Sequence, residues 1–179
     1  QNAEDAFKKR DRWDGPHSVD FRLSDDELRI SHYGKPFDDA DVRGICGILE
    51  STKALTDIGR FGIGFKSVYE FTDCPEIHSD DEHFAIESFV WPKAIPPIEV
   101  KPGETVFRLP LRGKDLLETS VEITSGLKGL GPRTLLFLRQ IEEVSWSAAD
   151  GTSGLYLRSK PESLSEHGRK VVVTGEDHT

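Results

Sequence analysis

The first residues that could do chemistry are two polar side chains close to the N-terminus, Asn2 and Asp5, the second of which is followed by Ala6. In a helix, residues three and four apart are neighbours on one face, so these three residues share a face. An amide oxygen and a carboxylate on one face can approach a hydrated Mg²⁺ whose remaining ligands are phosphate oxygens and water. The same segment also fits the start of an ordinary surface helix, so a Mg²⁺ site here requires a phosphate-binding element elsewhere in the chain.

A glycine-rich segment at residues 58–67 is the candidate for that element. Gly59, Gly62 and Gly64 come just before a predicted helix. Because glycine has no Cβ, its backbone N–H groups can approach an anion closely, and the start of the helix adds a positive dipole end. The segment does not match the pattern GxxxxGK[ST], and no strand directly precedes it as in a dinucleotide-binding turn. A tight turn with a packing glycine is the alternative for this segment alone.

The elements that must position these residues are predicted from apolar periodicity and turn signals. In chain order we predict a helix at 1–12, a β-hairpin at 19–31, a helix capped by Asp38 or Asp39, a helix after the glycine segment, a hairpin at 75–88, a proline-rich loop, a strand at 105–111, a helical stretch at 114–141 broken at 129–132, and terminal strands at 144–147, 154–159 and 170–175. This order is typical of an α+β protein with helices on one face of a mostly antiparallel sheet. We therefore expect a two-layer sandwich.

Size and composition restrict the classes of protein. With 179 residues, 36% of them apolar, the chain is expected to form a single domain (1–179), in which residues 148–179 supply terminal strands and a connection. A net charge of -9 disfavours direct binding to nucleic acid. The sequence contains no apolar run of membrane-spanning length, and its two cysteines, Cys46 and Cys74, lack disulfide or zinc spacing. We expect a cytoplasmic protein without a membrane segment. The absence of methionine, with a helix already under way at residue 1, predicts an N-terminally truncated domain.

Several motifs together resemble one known family. The stretches QNAEDA, HYGKPF, STK, IGRFGIGFKS and SDDEHFAIES follow one another as in the ATP-binding domain of the ninety-kilodalton heat-shock chaperones, members of the gyrase, heat-shock chaperone, histidine-kinase and MutL (GHKL) superfamily. The wording HYGKPFDDADVRGICGI and TLLFLRQIEEVSWS resembles the sacsin-like branch in particular. The resemblance covers about residues 1–147, and it implies a Bergerat-type fold that binds ATP or ADP with Mg²⁺.

The resemblance also implies roles for individual residues. Asn2 would bind Mg²⁺, Asp5 would face the nucleotide through water, and Thr105 would help to bind the adenine. The backbone at residues 62–65 would hold the phosphates. Lys53 lies in a segment similar to the mobile ATP lid of the family (about 36–58) and would reach a phosphate, with an ordinary solvated lysine as the alternative. The implied nucleotide site comprises Asn2, Asp5, Ala6, His32, Gly34, Phe37, Lys53, Gly59, Phe61, Gly62, Ile63, Gly64, Phe65 and Thr105.

The sequence departs from the family pattern at two positions of the site. His32 stands where the chaperones have an adenine-binding aspartate. A neutral imidazole retains one acceptor nitrogen, and its ordinary pKa of about 6.5 would make binding sensitive to pH. His32 could also serve only in packing. Pro36 stands where the chaperones have a second glycine, so we expect a stiffer lid hinge.

Catalysis depends on a residue that we expect ahead of this chain. The family uses a glutamate as general base, and the equivalent position lies two residues before Gln1. Glu4 is not a substitute, because it points roughly 200° around the helix from Asn2 when each residue advances about 100°.

The predicted function is therefore a chaperone-type ATPase module of a larger protein, in which ATP drives lid closure and acts on neighbouring domains or a client protein. The alternative is a nucleotide-sensing or scaffold module without turnover. A histidine-kinase catalytic domain fits less well, because its phosphate-binding glycines follow a different wording.

Overall fold

The protein is described by a computed structural model over residues 2–10, 12–47, 63–113, 116–165 and 169–178. The helices are α1 (Asn2–Lys8), α2 (Asp39–Cys46), α3 (Ile63–Lys66) and α4 (Leu116–Lys128), with 3₁₀ helices at Ser67–Glu70 and Pro132–Phe137. The strands are β1 (Ser18–Leu23), β2 (Glu27–Tyr33), β3 (Glu76–Ser79), β4 (Glu82–Glu87), β5 (Trp91–Ala94), β6 (Glu104–Pro110), β7 (Glu143–Ser147), β8 (Ser153–Arg158), β9 (Glu162–Ser163), β10 (Arg169–Lys170) and β11 (Val173–His178).

Most of the strands join one large sheet. Within the described ranges it has nine strands in the order β11-β8-β7-β1-β2-β6-β3-β4-β5, while β9 and β10 pair separately. The pairing of β1 with β7 is parallel. The other neighbours in the large sheet are antiparallel. The structure thus confirms the α+β prediction of a mostly antiparallel sheet.

The core lies between one face of this sheet and the helices. Side chains that alternate along the strands point to one face, and there Val19, Leu28 and Tyr156 pack with Phe7 of α1 and Ile123 of α4. A second cluster of buried side chains joins α2 and α3 to the other end of the sheet and consists of Cys46, Phe65, Tyr69, Ile77, Phe84, Ile86 and Phe107. Each large apolar side chain buried in this way stabilises the fold by about 1.5 to 3 kcal/mol. The helices therefore cover one face of the sheet, as predicted.

Local sequence signals explain most of the element boundaries. Asp38 caps α2, because its carboxylate accepts hydrogen bonds from the backbone of Ala40 and Asp41 at 2.9 Å. Asp41 completes a capping box by accepting from the backbone N–H of Asp38. The helix predicted after the glycine segment is α3 followed directly by a 3₁₀ turn.

One prediction about the elements was wrong. The proline-rich region after β4 is not entirely loop, because Trp91–Ala94 forms β5 at the edge of the sheet. Pro92 lies inside this strand, opposite Ile86. An edge strand has only one neighbour, so it tolerates a residue without a backbone N–H. Within the described ranges, no helix combines the length and the apolar character needed to cross a bilayer.

Candidate functional site

Three polar side chains meet at one end of the sheet, on the face that carries the helices. His32 near the end of β2 lies opposite Thr105 at the start of β6, and Thr105 lies opposite Ser79 at the end of β3. All three residues are buried, with 5%, 1% and 0% of their surfaces exposed. The Ser79 and Thr105 hydroxyl oxygens are 2.6 Å apart and share a hydrogen bond. The sheet register thus places Ser79, which was not predicted as a site residue, beside the two predicted site residues.

Phe37 closes this end of the sheet. Its backbone N–H donates to the Ser79 hydroxyl oxygen at 3.1 Å. Its ring lies 6.2 Å from the ring of Phe84 and 6.1 Å from that of Phe107. Sequence reasoning did not select Ser79. The feature of the sequence that could have identified Ser79 is a hydroxyl at the last inward-facing position of a predicted strand, two residues after the apolar Ile77.

His32 is held in one tautomer by its surroundings. Its Nδ1 lies 3.1 Å from the carbonyl oxygen of Tyr33. Since a carbonyl oxygen only accepts hydrogen bonds, a neutral His32 carries its proton on Nδ1 and has Nε2 as an acceptor. The ring stacks on Phe107 with centroids 5.8 Å apart. Burial is the main cause that lowers the pKa of His32 from its ordinary value of 6.5. His32 is therefore neutral at pH 7, and the pH sensitivity expected from the sequence moves to more acidic conditions.

Gly34 brings the turn after β2 against α1. The backbone N–H of Lys35 donates to the carbonyl oxygen of Ala6 at 2.9 Å, and the guanidinium of Arg10 donates to the carbonyl oxygen of Gly34. A Cβ added at Gly34 would lie 2.7 Å from the Cβ of Ala6, closer than carbon atoms approach. Only glycine fits here without displacing α1, so Ala6 and Gly34 are direct neighbours.

The remaining described site residues lie on α1 and α3. Asn2 is exposed at the first residue of α1. The Asp5 carboxylate, with 16% of its side chain exposed, lies 3.6 Å from the Lys8 ammonium. Gly64 is exposed, and no described residue lies within 4 Å of the position that a Cβ would take. Phe65 is buried with its ring 5.9 Å from Phe107, and Ile63 begins α3. Lys53, Gly59, Phe61 and Gly62 lie outside the described residues.

Glu4 has a structural position. Its carboxylate accepts hydrogen bonds from the backbone N–H groups of Arg139, Gln140 and Ile141 at 2.8 to 3.3 Å. Only 3% of the residue is exposed. Both carboxylate oxygens thus accept hydrogen bonds from the segment after the Pro132–Phe137 helix. Glu4 therefore links α1 to that segment.

The cysteines and the acidic residues do not form a cation site in the described part of the chain. Cys46 and Cys74 are free thiols, and burial raises the pKa of both. Among the described residues, no group of three or more His, Cys, Asp or Glu side chains is arranged to hold a metal ion. The predicted Mg²⁺ site at Asn2 is of another kind, because it depends on phosphate oxygens and water for most of its ligands.

Comparison with known proteins supports part of the resemblance. Residues 30–88, which include His32, Gly34, Phe37 and Ser79, match the family model of the Sacsin domain. The chain is 29% identical over 145 residues to the protein NO VEIN of Arabidopsis thaliana, an alignment that covers 67% of this chain and 5% of that protein. It is 27% identical over 214 aligned positions to Sacsin of Homo sapiens, with 86% of this chain and 4% of that protein covered. These matches support a sacsin-like family.

The sacsin-like match also suggests a module of a larger protein, since the chain spans about one twentieth of each curated relative. Neither relative is described by its name as binding a nucleotide. ATP binding and membership of the wider GHKL superfamily therefore stay predictions.

Proposed function

We propose that this chain is an ATP- or ADP-binding module of a larger protein. The observation that carries the proposal is the meeting of Ala6, His32, Gly34, Phe37 and Thr105 at one end of the sheet. The residues come from α1, β2, the turn after β2 and β6, and they were selected because of one nucleotide-binding family. Their convergence supports a common site.

His32 fits the recognition of adenine. The exocyclic amino group of adenine donates hydrogen bonds, and Nε2 of neutral His32 is an acceptor. The Ser79–Thr105 hydroxyl pair beside it supplies a further donor or acceptor, directly or through a water molecule. The Phe107 ring under His32 fixes the plane of the imidazole. Neutral His32 would therefore accept a hydrogen bond from the adenine amino group, as the aspartate does in the chaperones.

Asn2 and Asp5 fit the phosphate end of a nucleotide. The exposed Asn2 amide oxygen is open to a hydrated cation, and Asp5 lies one turn later on the same helix. Bound Mg²⁺ would neutralise phosphate charge. At the N-terminus of α3, no described residue lies within 4 Å of the Cβ position of Gly64, which leaves room for a phosphate there. The nucleotide contacts of Lys53, Gly59, Phe61 and Gly62 are part of the same proposal.

Nucleotide binding and turnover depend on different residues. Glu4 does not act as a general base, because both of its oxygens accept backbone hydrogen bonds. Hydrolysis by the intact protein would require the upstream glutamate that the family resemblance implies. Without that glutamate, nucleotide binding alone would change the conformation of the lid and of neighbouring domains. Those domains would then respond to whether the site is occupied and not to hydrolysis.

Calorimetric titration of the chain with ADP and Mg²⁺ tests the proposal. We expect binding by the wild type at sub-millimolar ADP. His32→Phe preserves a stacked ring but removes the acceptor, so its affinity for ADP should fall about tenfold, the value of one lost hydrogen bond in a buried site. Thr105→Val should weaken binding similarly. His178→Phe is the matched control on exposed β11 and should bind like the wild type.

Two results would contradict the proposal. One is the absence of heat at about 1 mM ADP, a concentration that half-saturates a site with a binding free energy of only about -4 kcal/mol, from protein whose circular dichroism shows the native fold. The other is equal affinity of His32→Phe, His178→Phe and the wild type. A parallel titration with GDP measures base selectivity, because the guanine edge presents a carbonyl oxygen where adenine presents an amino group.

A further inference from the structure

A row of arginines crosses the sheet on the face opposite the helices. Arg22 in β1 lies opposite Arg29 in β2, and Arg29 lies opposite Arg108 in β6. Each of the three alternates with core residues along its strand, so their side chains share the outer face. Like charges at directly opposite positions repel one another. Carboxylates or other anions beside the row would therefore stabilise it.

The two outer arginines have carboxylate partners. The Arg22 Nε donates to Asp20 at 2.6 Å. The Arg108 guanidinium bridges Glu27 at 2.6 Å and Glu76 at 2.8 Å. Arg29, between them, makes no hydrogen bond and no ion pair with any residue in the described ranges. Arg29, which is half-buried at the centre of the row, is thus the arginine without a carboxylate partner among the described residues.

A cleft of about 360 Å³ opens over Arg29. Arg22, Arg29 and Ser31 line the sheet side, and the segment 99–102 with Glu104 lines the other side. Val100 and Pro102 supply apolar surface there. The cleft thus combines the Arg29 guanidinium, the Lys101 ammonium, a hydroxyl and an apolar wall, which suits a short side chain that ends in an anion.

The charge of the cleft favours a singly charged ligand. Arg22, Arg29 and Lys101 bring three positive charges to its lining and Glu99 and Glu104 bring two negative charges, so the lining has a net charge of one positive that a single carboxylate balances. A carboxylate carries one negative charge and matches the two parallel N–H groups of a guanidinium. The methylene groups of an Asp or Glu side chain would contact Val100 and Pro102.

We propose that this cleft binds a carboxylate side chain of an acidic segment in a partner protein, with Arg29 as its anchor. The acceptor is an Asp or Glu oxygen pair on the Arg29 guanidinium, assisted by the Ser31 hydroxyl. The site lies on the opposite face of the sheet from His32 and Thr105, so it is independent of the proposed nucleotide site.

Titration of ¹⁵N-labelled protein with N-acetylglutamate α-amide, followed by NMR of the arginine Nε–H and backbone amide signals, tests this site. The signals of Arg29, Ser31 and residues 99–104 should shift with increasing ligand, and N-acetylglutamine α-amide should shift them at least fivefold less. Arg29→Gln should abolish the backbone shifts, whereas Arg29→Lys should retain part of them. Arg133→Gln, which changes an exposed arginine on the 3₁₀ helix of the covered face, should leave them unchanged.

Equal shifts with the glutamate and glutamine probes, or shifts that persist in Arg29→Gln, would overturn the proposal. Inorganic phosphate serves as a second probe. If phosphate saturates the Arg29 signals and the glutamate probe does not, the ligand is a phosphorylated group and the carboxylate assignment is wrong. Thr105→Val should leave the response to glutamate intact, which separates the failure of this site from failure of the nucleotide site.

Discussion

The carboxylate of Glu4 accepts hydrogen bonds from the backbone N–H of Gln140, which lies 136 residues further along the chain. The neighbouring N–H groups of Arg139 and Ile141 bind the same carboxylate. Helix α1 carries Asn2, Asp5 and Ala6 of the candidate site. The position of that site therefore depends on a contact between segments that are far apart in the sequence.

Glu4→Ala should destabilise the fold by about 2 to 4 kcal/mol, because it leaves three backbone N–H groups without their acceptor. Glu4→Gln should cost less, since it retains one acceptor oxygen but turns an amide NH₂ toward the same donors. Urea unfolding measures both changes. Glu122→Gln, on the exposed face of α4, is the control and should change the free energy of unfolding by less than about 0.5 kcal/mol. Equal midpoints for the Glu4 variants and this control would contradict the assigned role.

Gly34→Ala should destabilise the fold by about 1 to 3 kcal/mol, because its Cβ would press on Ala6 and force α1 away from the turn after β2. Gly126→Ala is the matched control. It is exposed in the last turn of α4, and no described residue lies within 4 Å of its Cβ position, so alanine should stabilise the helix by up to about 1 kcal/mol. Thermal unfolding of the two variants should therefore shift in opposite directions. A Gly34→Ala protein as stable as the wild type would show that α1 is not packed as described.

Acid should destabilise the protein through His78 on the outer face of the sheet. Burial, followed by the neighbouring charges of His83 and Arg108, lowers the pKa of His78 from 6.5 to about 4. Between these two values the unfolded chain takes up a proton that the folded protein does not. Above pH 6.5, His78 therefore does not reduce the free energy of unfolding. As the pH falls from 6.5 to about 4, protonation of this residue in the unfolded chain lowers the free energy of unfolding by up to about 3 kcal/mol.

Urea midpoints measured from pH 7.5 to 4 check this prediction. His78→Leu should lose less stability over that range than the wild type, because it has no proton to bind. His178→Leu, at an exposed position of β11, should follow the wild-type curve. Parallel curves for His78→Leu and the wild type would contradict the prediction.

The parts of the fold that local pattern determines were predicted well. The hairpin β1–β2 follows from alternation around Asp25 and Asp26, and β3–β4 from alternation around residues 80–82. Asp38 caps α2 as one of the two predicted candidates. These signals act within a few residues, so a single sequence contains them.

The parts that depend on strand neighbours were not predictable from one sequence. Ser79 joins the site because β3 lies beside β6, and Glu4 is buried because the segment 139–141 returns to α1. Neither contact leaves a periodic signal. Strand β5 was missed because Pro92 reads as a loop residue, although a sheet edge accommodates it. The site residues His32 and Thr105 were selected through family resemblance, and the register then placed them opposite each other.

The parallel pairing of β1 with β7 has a consequence for how the chain reaches its folded state. Asp20 and Ser145, which join these strands through a hydrogen bond, are 125 residues apart. The hairpins β1–β2, β3–β4 and β7–β8 close short loops and can form early, whereas the central seam must close a loop of more than a hundred residues, which is slow on entropic grounds. During synthesis on the ribosome, the edge of β1 that pairs with β7 therefore stays unpaired until β7 has emerged. In that interval the edge is open to mispairing with other strands.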